Sequence, residues 1–234
     1  MQPLAPAHPV GISGMSFDWS FALGILPALL RAALITVVVT ILSFGLALVG
    51  GLVLVLLRRA HPIASRIVGG VVEFIRNTPL LVQILFLYLV LPEHGIVLTS
   101  FQTGVLAMGI HYSVYLSEVY RAAIDAVPRG QWEAARALNF TTFSTYAYVV
   151  LPQAVPVVVP SAGNILVYMF KDSPLLAAIS LVELVFTAQN IAAETFNYLE
   201  PMTLVGLIFL AMGLASAQLV RMVERHVGSR WMKR

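Results

Sequence analysis

Uncharged apolar stretches, separated by short charged segments, make up most of the chain. The longest of these stretches are residues 32–57, 77–92, 137–170 and 201–220. A helix needs about 20 apolar residues to cross the hydrocarbon core of a bilayer, and several of these stretches are long enough. They are also longer than the roughly ten alternating residues of a barrel strand. The pattern therefore predicts an all-α polytopic membrane protein.

The charged segments predict how the helices are arranged across the membrane. Lys and Arg are concentrated in residues 58–76, 121–136 and 221–234, whereas 92–100 and 183–200 contain glutamate but neither Lys nor Arg. Basic loops stay in the cytoplasm. We therefore expect an odd number of crossings, with the N-terminus outside and the C-terminus in the cytoplasm.

Five spans satisfy this topology, within a single transmembrane domain over residues 1–234 whose helical core covers about 32–221. The expected spans lie at about 32–57, 74–92, 100–120, 153–172 and 201–221. Residues 175–199 are apolar only in their first half. We interpret them as a short interfacial or re-entrant helix, and a further crossing stays open as the alternative.

Composition argues against several other classes of protein. Charged residues make up 11% of the chain, against about 25% in soluble domains. There is no cysteine, and the five histidines are scattered, so we expect no metal site and no catalytic constellation. Neither Lys171 nor Lys233 follows the glycine-rich pattern of a phosphate-binding loop. We therefore expect no ATP site, no cofactor and no enzyme activity on this chain. The basic residues are better explained by the orientation of the helices in the membrane than by binding to nucleic acid.

A short polar segment interrupts the apolar pattern at about residues 130–140. Pro128-Arg129-Gly130 is a turn signal, and "QWEAARAL" from residue 131 is rich in helix formers. Trp132, Ala135 and Leu138 share one face by helical spacing, and Asn139 tolerates the left-handed conformation that ends a helix. The segment predicts a short amphipathic helix, a sharp turn and a second helix on the cytoplasmic side. A solvated loop helix is the simpler alternative.

Polar residues inside the predicted spans are candidates for a solute path, because an ionisable group at membrane depth usually serves a function. The candidates are His111, Glu118, Asn164, Lys171 and Asp172. His111 and Glu118 are seven residues apart and therefore share a helix face. Structural alternatives stay open: Glu118 could pair with Arg121, and Lys171 with Asp172 at the interface.

The short polar segment resembles the EAA motif of ATP-binding-cassette importer permeases. Glu133-Ala134-Ala135 is followed at the motif's spacing by Asn139, Val149 and Leu151-Pro152, with Asn139 in place of the usual glycine. Flanking segments resemble the polar amino-acid branch of the family. They are "EFIRNTPLLVQILFLY", "YLSEVYRAAIDAVPRGQWEAARAL", "LPQAVPVVVPSAGN" and "KDSPL". Pro156 and Pro174 depart from it, where arginine and serine are usual.

The resemblance implies the permease subunit of an ATP-driven amino-acid importer in the bacterial cytoplasmic (inner) membrane. Its EAA helix would dock on an ATPase, through Arg129, Gln131, Trp132, Glu133, Ala134, Ala135, Arg136 and Asn139. The implied partners are two ATPase subunits that use ATP and Mg²⁺, a second permease (a copy or a related chain) and an extracytoplasmic solute-binding protein. The identity of the amino acid stays open.

Two other classes of function are the alternatives for a membrane protein of this kind. A secondary transporter or channel working alone would show an inverted internal repeat with matching broken helices, and none is apparent in the sequence. A membrane-embedded enzyme would need a catalytic constellation at one membrane face, and none is apparent either.

Overall fold

The computed structural model describes residues 17–231, with side-chain environments described as far as residue 226. Every regular element in this range is helical and none is a strand, which confirms the prediction of an all-α protein. The helices are α1 (Trp19–Ala60), α2 (Pro62–Arg76), α3 (Leu80–Leu85), α4 (Ser100–Asp125), α5 (Arg129–Ala137), α6 (Thr142–Thr145), α7 (Leu151–Asp172), α8 (Leu184–Thr195) and α9 (Leu199–Trp231). Short π and 3-10 turns follow α3 and α7 and join α6 to α7.

The first helix is longer than the predicted span at 32–57. It begins at the N-cap Asp18, whose carboxylate accepts hydrogen bonds from the backbone N–H groups of Phe21 and Ser20. These bonds hold the pKa of the Asp18 carboxyl below its usual value, with the Phe21 N–H as the largest cause. The added N-terminal part contains Pro27, and Leu29 packs with Leu184, Ala188 and Val205 of α8 and α9. Tertiary packing extends this helix beyond its purely apolar segment.

The predicted single helix at 74–92 is wrong, because two helices occupy this region. Residues 62–76 and 80–94 form helical segments that meet at an angle of 102°. Pro79 lacks a backbone donor and disfavours helical geometry at Thr78, so the helix stops at the Asn77 cap. The Gln83 side chain bridges the corner by donating to the carbonyls of Ile75 and Thr78, both at 2.9 Å.

Residues 175–199 form no helix long enough to cross the membrane. A 3-10 segment, Ser173–Ile179, extends α7 and ends at Ser180, whose backbone is left-handed. The following helix α8 has 12 residues, which gives a length of about 18 Å against about 30 Å for the hydrocarbon core. The interpretation as a short helix agrees with this length.

Three helical stretches in the described residues are long and apolar enough to cross a membrane. They are Trp19–Ala60, Thr142–Ile179 and Leu199–His226, and the bent pair Pro62–Arg76 and Leu80–His94 would be a fourth. Helix α4 has 26 residues, which is a spanning length, but its buried His111, Ser113 and Ser117 make it less apolar. The predicted spans at 100–120, 153–172 and 201–221 all lie within longer helices.

The core is built around the close approach of α1 and α4. A Cβ added at Gly51 would lie 2.8 Å from the Leu116 Cβ, and one at Gly109 would lie 2.5 Å from Leu46. Small residues are typical of such close helix contacts in membranes. The main buried cluster joins these two helices to α3, α7 and the 3-10 segment through Val39, Ile84, Met108, Leu116, Met169 and Leu176. This arrangement places the polar face of α4 opposite α7.

Candidate functional site

The predicted EAA helix is present as α5, which covers residues 129–137 rather than 130–140. It ends as predicted: Asn139 has a φ of +57°, and the Phe140 N–H donates to the Ala135 carbonyl at 3.0 Å. The Thr141 hydroxyl then caps α6 by accepting from the Ser144 N–H at 3.2 Å. The predicted helix, sharp turn and second helix are therefore confirmed.

One face of α5 is anchored to the rest of the protein. Ala135 is 3% exposed, and the Trp132 ring packs edge-on against Tyr146 with centroids 5.4 Å apart. Trp132 packs with Ala123, Ile124, Val127, Val150 and Ala154, which lie at the end of α4, just after it, and around the start of α7. The helix is therefore held on a packed base formed by two longer helices.

The opposite face of α5 points outward. The exposed predicted residues are Arg129, Gln131, Glu133, Ala134, Arg136 and Asn139. The apolar face is shorter than predicted, because Leu138 caps the helix and is 70% exposed. Two further exposed rings follow at Phe140 and Phe143. Sequence reasoning missed these exposed apolar side chains, since Leu138 was assigned to the buried face, Phe140 lies in the turn and Phe143 lies in the short helix α6.

A polar cavity of about 680 Å³ lies between α4, α7 and the end of α2. Its polar and aromatic lining residues are Arg76, His111, Tyr112, Tyr115, Glu118, Ser161, Asn164, Tyr168 and Asp172. Four of the five predicted path residues therefore meet in one place. Lys171 does not join them: it lines a separate apolar cavity, with Phe209 and Gly213 of α9.

Some polar groups of the cavity have hydrogen-bond partners within the protein and others have none. The Tyr112 hydroxyl donates to Asp172 Oδ2 at 2.5 Å. The buried His111 Nδ1 has no hydrogen-bond partner, although its ring lies 5.2 Å from those of Tyr112 and Tyr115. The Arg76 guanidinium lies 5.8 Å from the Tyr115 ring centroid. The cavity thus combines a cation, an anion and an unsatisfied imidazole.

Glu118 is held by two arginines. Its Oε1 accepts from Arg58 Nη1 at 2.5 Å, and its Oε2 accepts from Arg121 Nη2 at 2.7 Å. The pairing with Arg121, considered above as a structural alternative, is therefore present, and Arg58 is an additional partner.

Four lining residues were missed from the sequence, although their spacing carries a signal. Tyr112 and Tyr115 lie beside the predicted His111 on α4, and Ser161 and Tyr168 follow helical spacing around the predicted Asn164 on α7. Arg76 reaches the cavity only because α2 ends at the bend, and hydropathy does not reveal that bend. Among the residues described, no three His, Asp or Glu side chains are grouped as a metal site requires.

Comparison with known proteins agrees with this geometry. A family described as "binding-protein-dependent transport system inner membrane component" matches residues 47–229. A Sinorhizobium fredii protein named probable amino-acid ABC transporter permease protein y4tG is 44% identical, over 91% of this chain and 93% of its own length. The Escherichia coli glutamine transport system permease protein GlnP is 31% identical, over 91% and 99%.

A solved structure also matches the fold. It is described as an amino acid ABC transporter with histidines, and it superposes with a TM-score of 0.85 at 32% identity. The match covers 91% of this chain and 100% of that one. With the EAA helix and the family match over residues 47–229, this places the chain in the family of binding-protein-dependent transport system inner membrane components.

Proposed function

We propose that the chain is the transmembrane permease subunit of an ATP-driven importer for amino acids. The observation that carries the proposal is α5, which presents Glu133 and Ala134 outward while Ala135 and Trp132 fix it to a packed base. A protrusion held in this way can transmit force from a neighbouring subunit. The names of the relatives, which include amino-acid and glutamine permeases, support the substrate class.

The partner at α5 is an ATPase subunit, and ATP and Mg²⁺ are bound there rather than on this chain. Exposed apolar side chains that lie next to one another are typical of docking surfaces. Leu138 and Phe143, which are close in sequence to the exposed Glu133 and Arg136, are 70% and 80% exposed. An apolar patch with a charged rim fits a groove on a soluble protein, with Glu133 meeting a basic group there. Two ATPases and a second permease, either a copy or a related chain, complete the complex.

The polar cavity is the proposed solute path. An amino acid carries a carboxylate and an ammonium group, and the cavity offers Arg76 for the first and Asp172 for the second. Burial of both solute charges would be costly without such partners. An extracytoplasmic solute-binding protein delivers the solute from outside.

The orientation follows from the distribution of charge. Arg129 and Arg136 on α5 and Arg221 and Arg225 near the end of α9 carry positive charge, which favours the cytoplasm. We therefore place α5 and the C-terminus in the cytoplasm and the N-terminus outside, in the inner membrane of a bacterium.

Copurification of the ATPase with the permease tests the proposal. Glu133→Arg should reduce the yield of copurified ATPase about tenfold, because it places like charges at the interface. Deletion of residues 131–138 should abolish association while membrane insertion persists. Glu194→Arg makes the same change at an exposed position on α8 and should leave the yield unchanged.

Two results would count against the proposal. One is full assembly with the ATPase after the deletion, which would remove α5 from the interface. The other is solute transport down an ion gradient by the purified chain alone, which would favour a secondary transporter or channel.

A further inference from the structure

We propose that Glu118, although it lines the polar cavity, is a positioning residue that ties α1 to α4. In this role it transmits displacement of α5 to α1, whose far end packs against α8 and α9. The inference rests on the proposed function and assigns a task within it. It also separates Glu118 from the residues that contact the solute.

The carboxylate of Glu118 is already committed to protein partners. Besides the bond from Arg58 to Oε1, Arg121 donates two hydrogen bonds to Oε2, from Nη2 at 2.7 Å and from Nε at 3.0 Å. The Glu118 side chain is 23% exposed. Partly buried, charge-assisted hydrogen bonds of this kind are stronger than neutral ones. A solute ammonium would have to displace an arginine to reach this carboxylate, so Glu118 is better suited to holding helices together.

The contacts continue as a chain of alternating charges. Arg121 Nη1 also donates to Asp125 Oδ2 at 3.2 Å, and Asp125 pairs with Arg59. We call Arg58, Glu118, Arg121, Asp125 and Arg59 the ion-pair ladder. Two consecutive arginines of α1 thus meet two acids of α4 that lie seven residues, or two turns, apart. A network of several charges contributes more than an isolated surface pair.

The ladder lies at the end of the α1–α4 contact that is nearest α5. The end of α4 packs with the base of α7 through Ala123, Ile124, Val150 and Ala154, and Trp132 of α5 joins that cluster. None of these apolar contacts includes α1. Nearer the middle of the two helices, α1 touches α4 at Gly51 and Leu116. The ladder therefore extends this contact to the cytoplasmic end, next to α5.

The far end of α1 is where the transmitted displacement would arrive. Leu29 and Ala33 of α1 pack with Leu184 and Ala188 of α8 and with Val205 of α9. Only residues 126–128 separate α4 from α5. A displacement of α5 therefore passes to α4, across the ladder to α1, and along α1 to the elements at the outer side. The glycine contacts hold α1 and α4 together near their middle, and the ladder holds the ends of the two helices that lie nearest α5.

The test uses the permease, its ATPase and its binding protein, assembled in proteoliposomes. Glu118→Gln should lower the amount of solute transported per ATP hydrolysed about tenfold. The KM for the solute-loaded binding protein and the yield of the complex should stay unchanged, because no solute contact is lost. Glu93→Gln removes an exposed acid beyond the opposite end of α4 and should leave the transport ratio unchanged.

A second variant distinguishes a loss of coupling from a general loss of structure. The chain has no cysteine, so Arg58→Cys combined with Glu118→Cys supplies a unique thiol pair. The free double variant should be uncoupled, and a short bifunctional thiol reagent that joins α1 to α4 should restore the transport ratio. A solute ligand at position 118 would not be replaced by this link, whereas a tie between α1 and α4 would.

The possible outcomes distinguish failure of this proposal from failure of the proposed function. A raised KM with an unchanged ratio in Glu118→Gln would make Glu118 a solute ligand and overturn the proposal. An unchanged ratio in every variant, or a linked pair that stays uncoupled, would overturn it as well. Failure of the unmodified chain to assemble with an ATPase would instead reject the proposed function.

Discussion

Asn139 holds a left-handed backbone at the end of α5, with a φ of +57°. Asparagine tolerates this conformation, glycine adopts it freely, and β-branched residues do not. Asn139→Gly should therefore raise the free energy of unfolding by up to about 1 kcal/mol, whereas Asn139→Val should lower it by about 1–2 kcal/mol. Thermal unfolding in detergent measures both changes.

A matched control separates backbone strain from the effect of a branched side chain. Leu138 is exposed and has an ordinary φ of −83°, so Leu138→Val should cost much less than Asn139→Val. Equal losses at the two positions would contradict the strain argument.

For single residues, the sequence predicted backbone conformation better than it predicted which side chains are buried. The turn at Asn139 was predictable because it depends on local backbone preference alone. Leu138 was assigned to the buried face, but α5 stops before Leu138 can reach the base. Lys171 and Asp172 are neighbours in sequence yet line different cavities, because successive residues of a helix point about 100° apart.

Glycines at the contact of α1 and α4 determine how closely these elements pack. A Cβ at Gly51 would meet the Leu116 Cβ at 2.8 Å and the Ser113 carbonyl oxygen at 3.0 Å. Gly51→Ala should therefore cost about 1–3 kcal/mol through overpacking. Gly45→Ala lies in the same helix with no neighbour within 4 Å and should be neutral or stabilising by up to about 1 kcal/mol. Unfolding in detergent compares them, and a similar loss at both glycines would contradict the packing argument.

The elements were predictable where apolar length alone defines them. Hydropathy located α7 and α9, and the charge pattern added α4. Both missed the corner between α2 and α3, because the residues on both sides are equally apolar. Pro79 carried a signal, yet prolines also occur inside α1 and α7 without ending them. What differs at the corner is the Gln83 side chain, which donates to the carbonyls of Ile75 and Thr78. That contact depends on a neighbour in the folded state.

The whole molecule makes a prediction about the solute path. Asp172 lines the polar cavity and Lys171 does not. In the assembled importer, Asp172→Asn should reduce uptake of the amino acid about tenfold, since it removes the anion opposite the solute ammonium but keeps the side chain's shape. Lys171→Gln should change uptake by no more than about twofold. Uptake into proteoliposomes measures both, and a larger effect at Lys171 would move the path to the apolar cavity.

The class of protein was predictable from the sequence, but the packing of its helices against one another was not. Hydropathy and charge gave an all-α membrane protein with a polar protrusion, and the motif gave its family. The cavity depends on the bend that brings Arg76 beside α4 and on the facing of α4 and α7. Both are properties of packing between distant segments, and no local pattern contains them.

The uninterrupted course of α4 has a practical consequence. Its 26 residues run from the Thr99 cap to Asp125, a rod of about 39 Å. A small tilt at one end becomes a sideways displacement of several ångströms at the other, as with any rigid pointer. Under the proposed function, a spectroscopic label beside Ser100, paired with a second label elsewhere in the complex, would therefore register nucleotide-dependent displacement of α5 in real time.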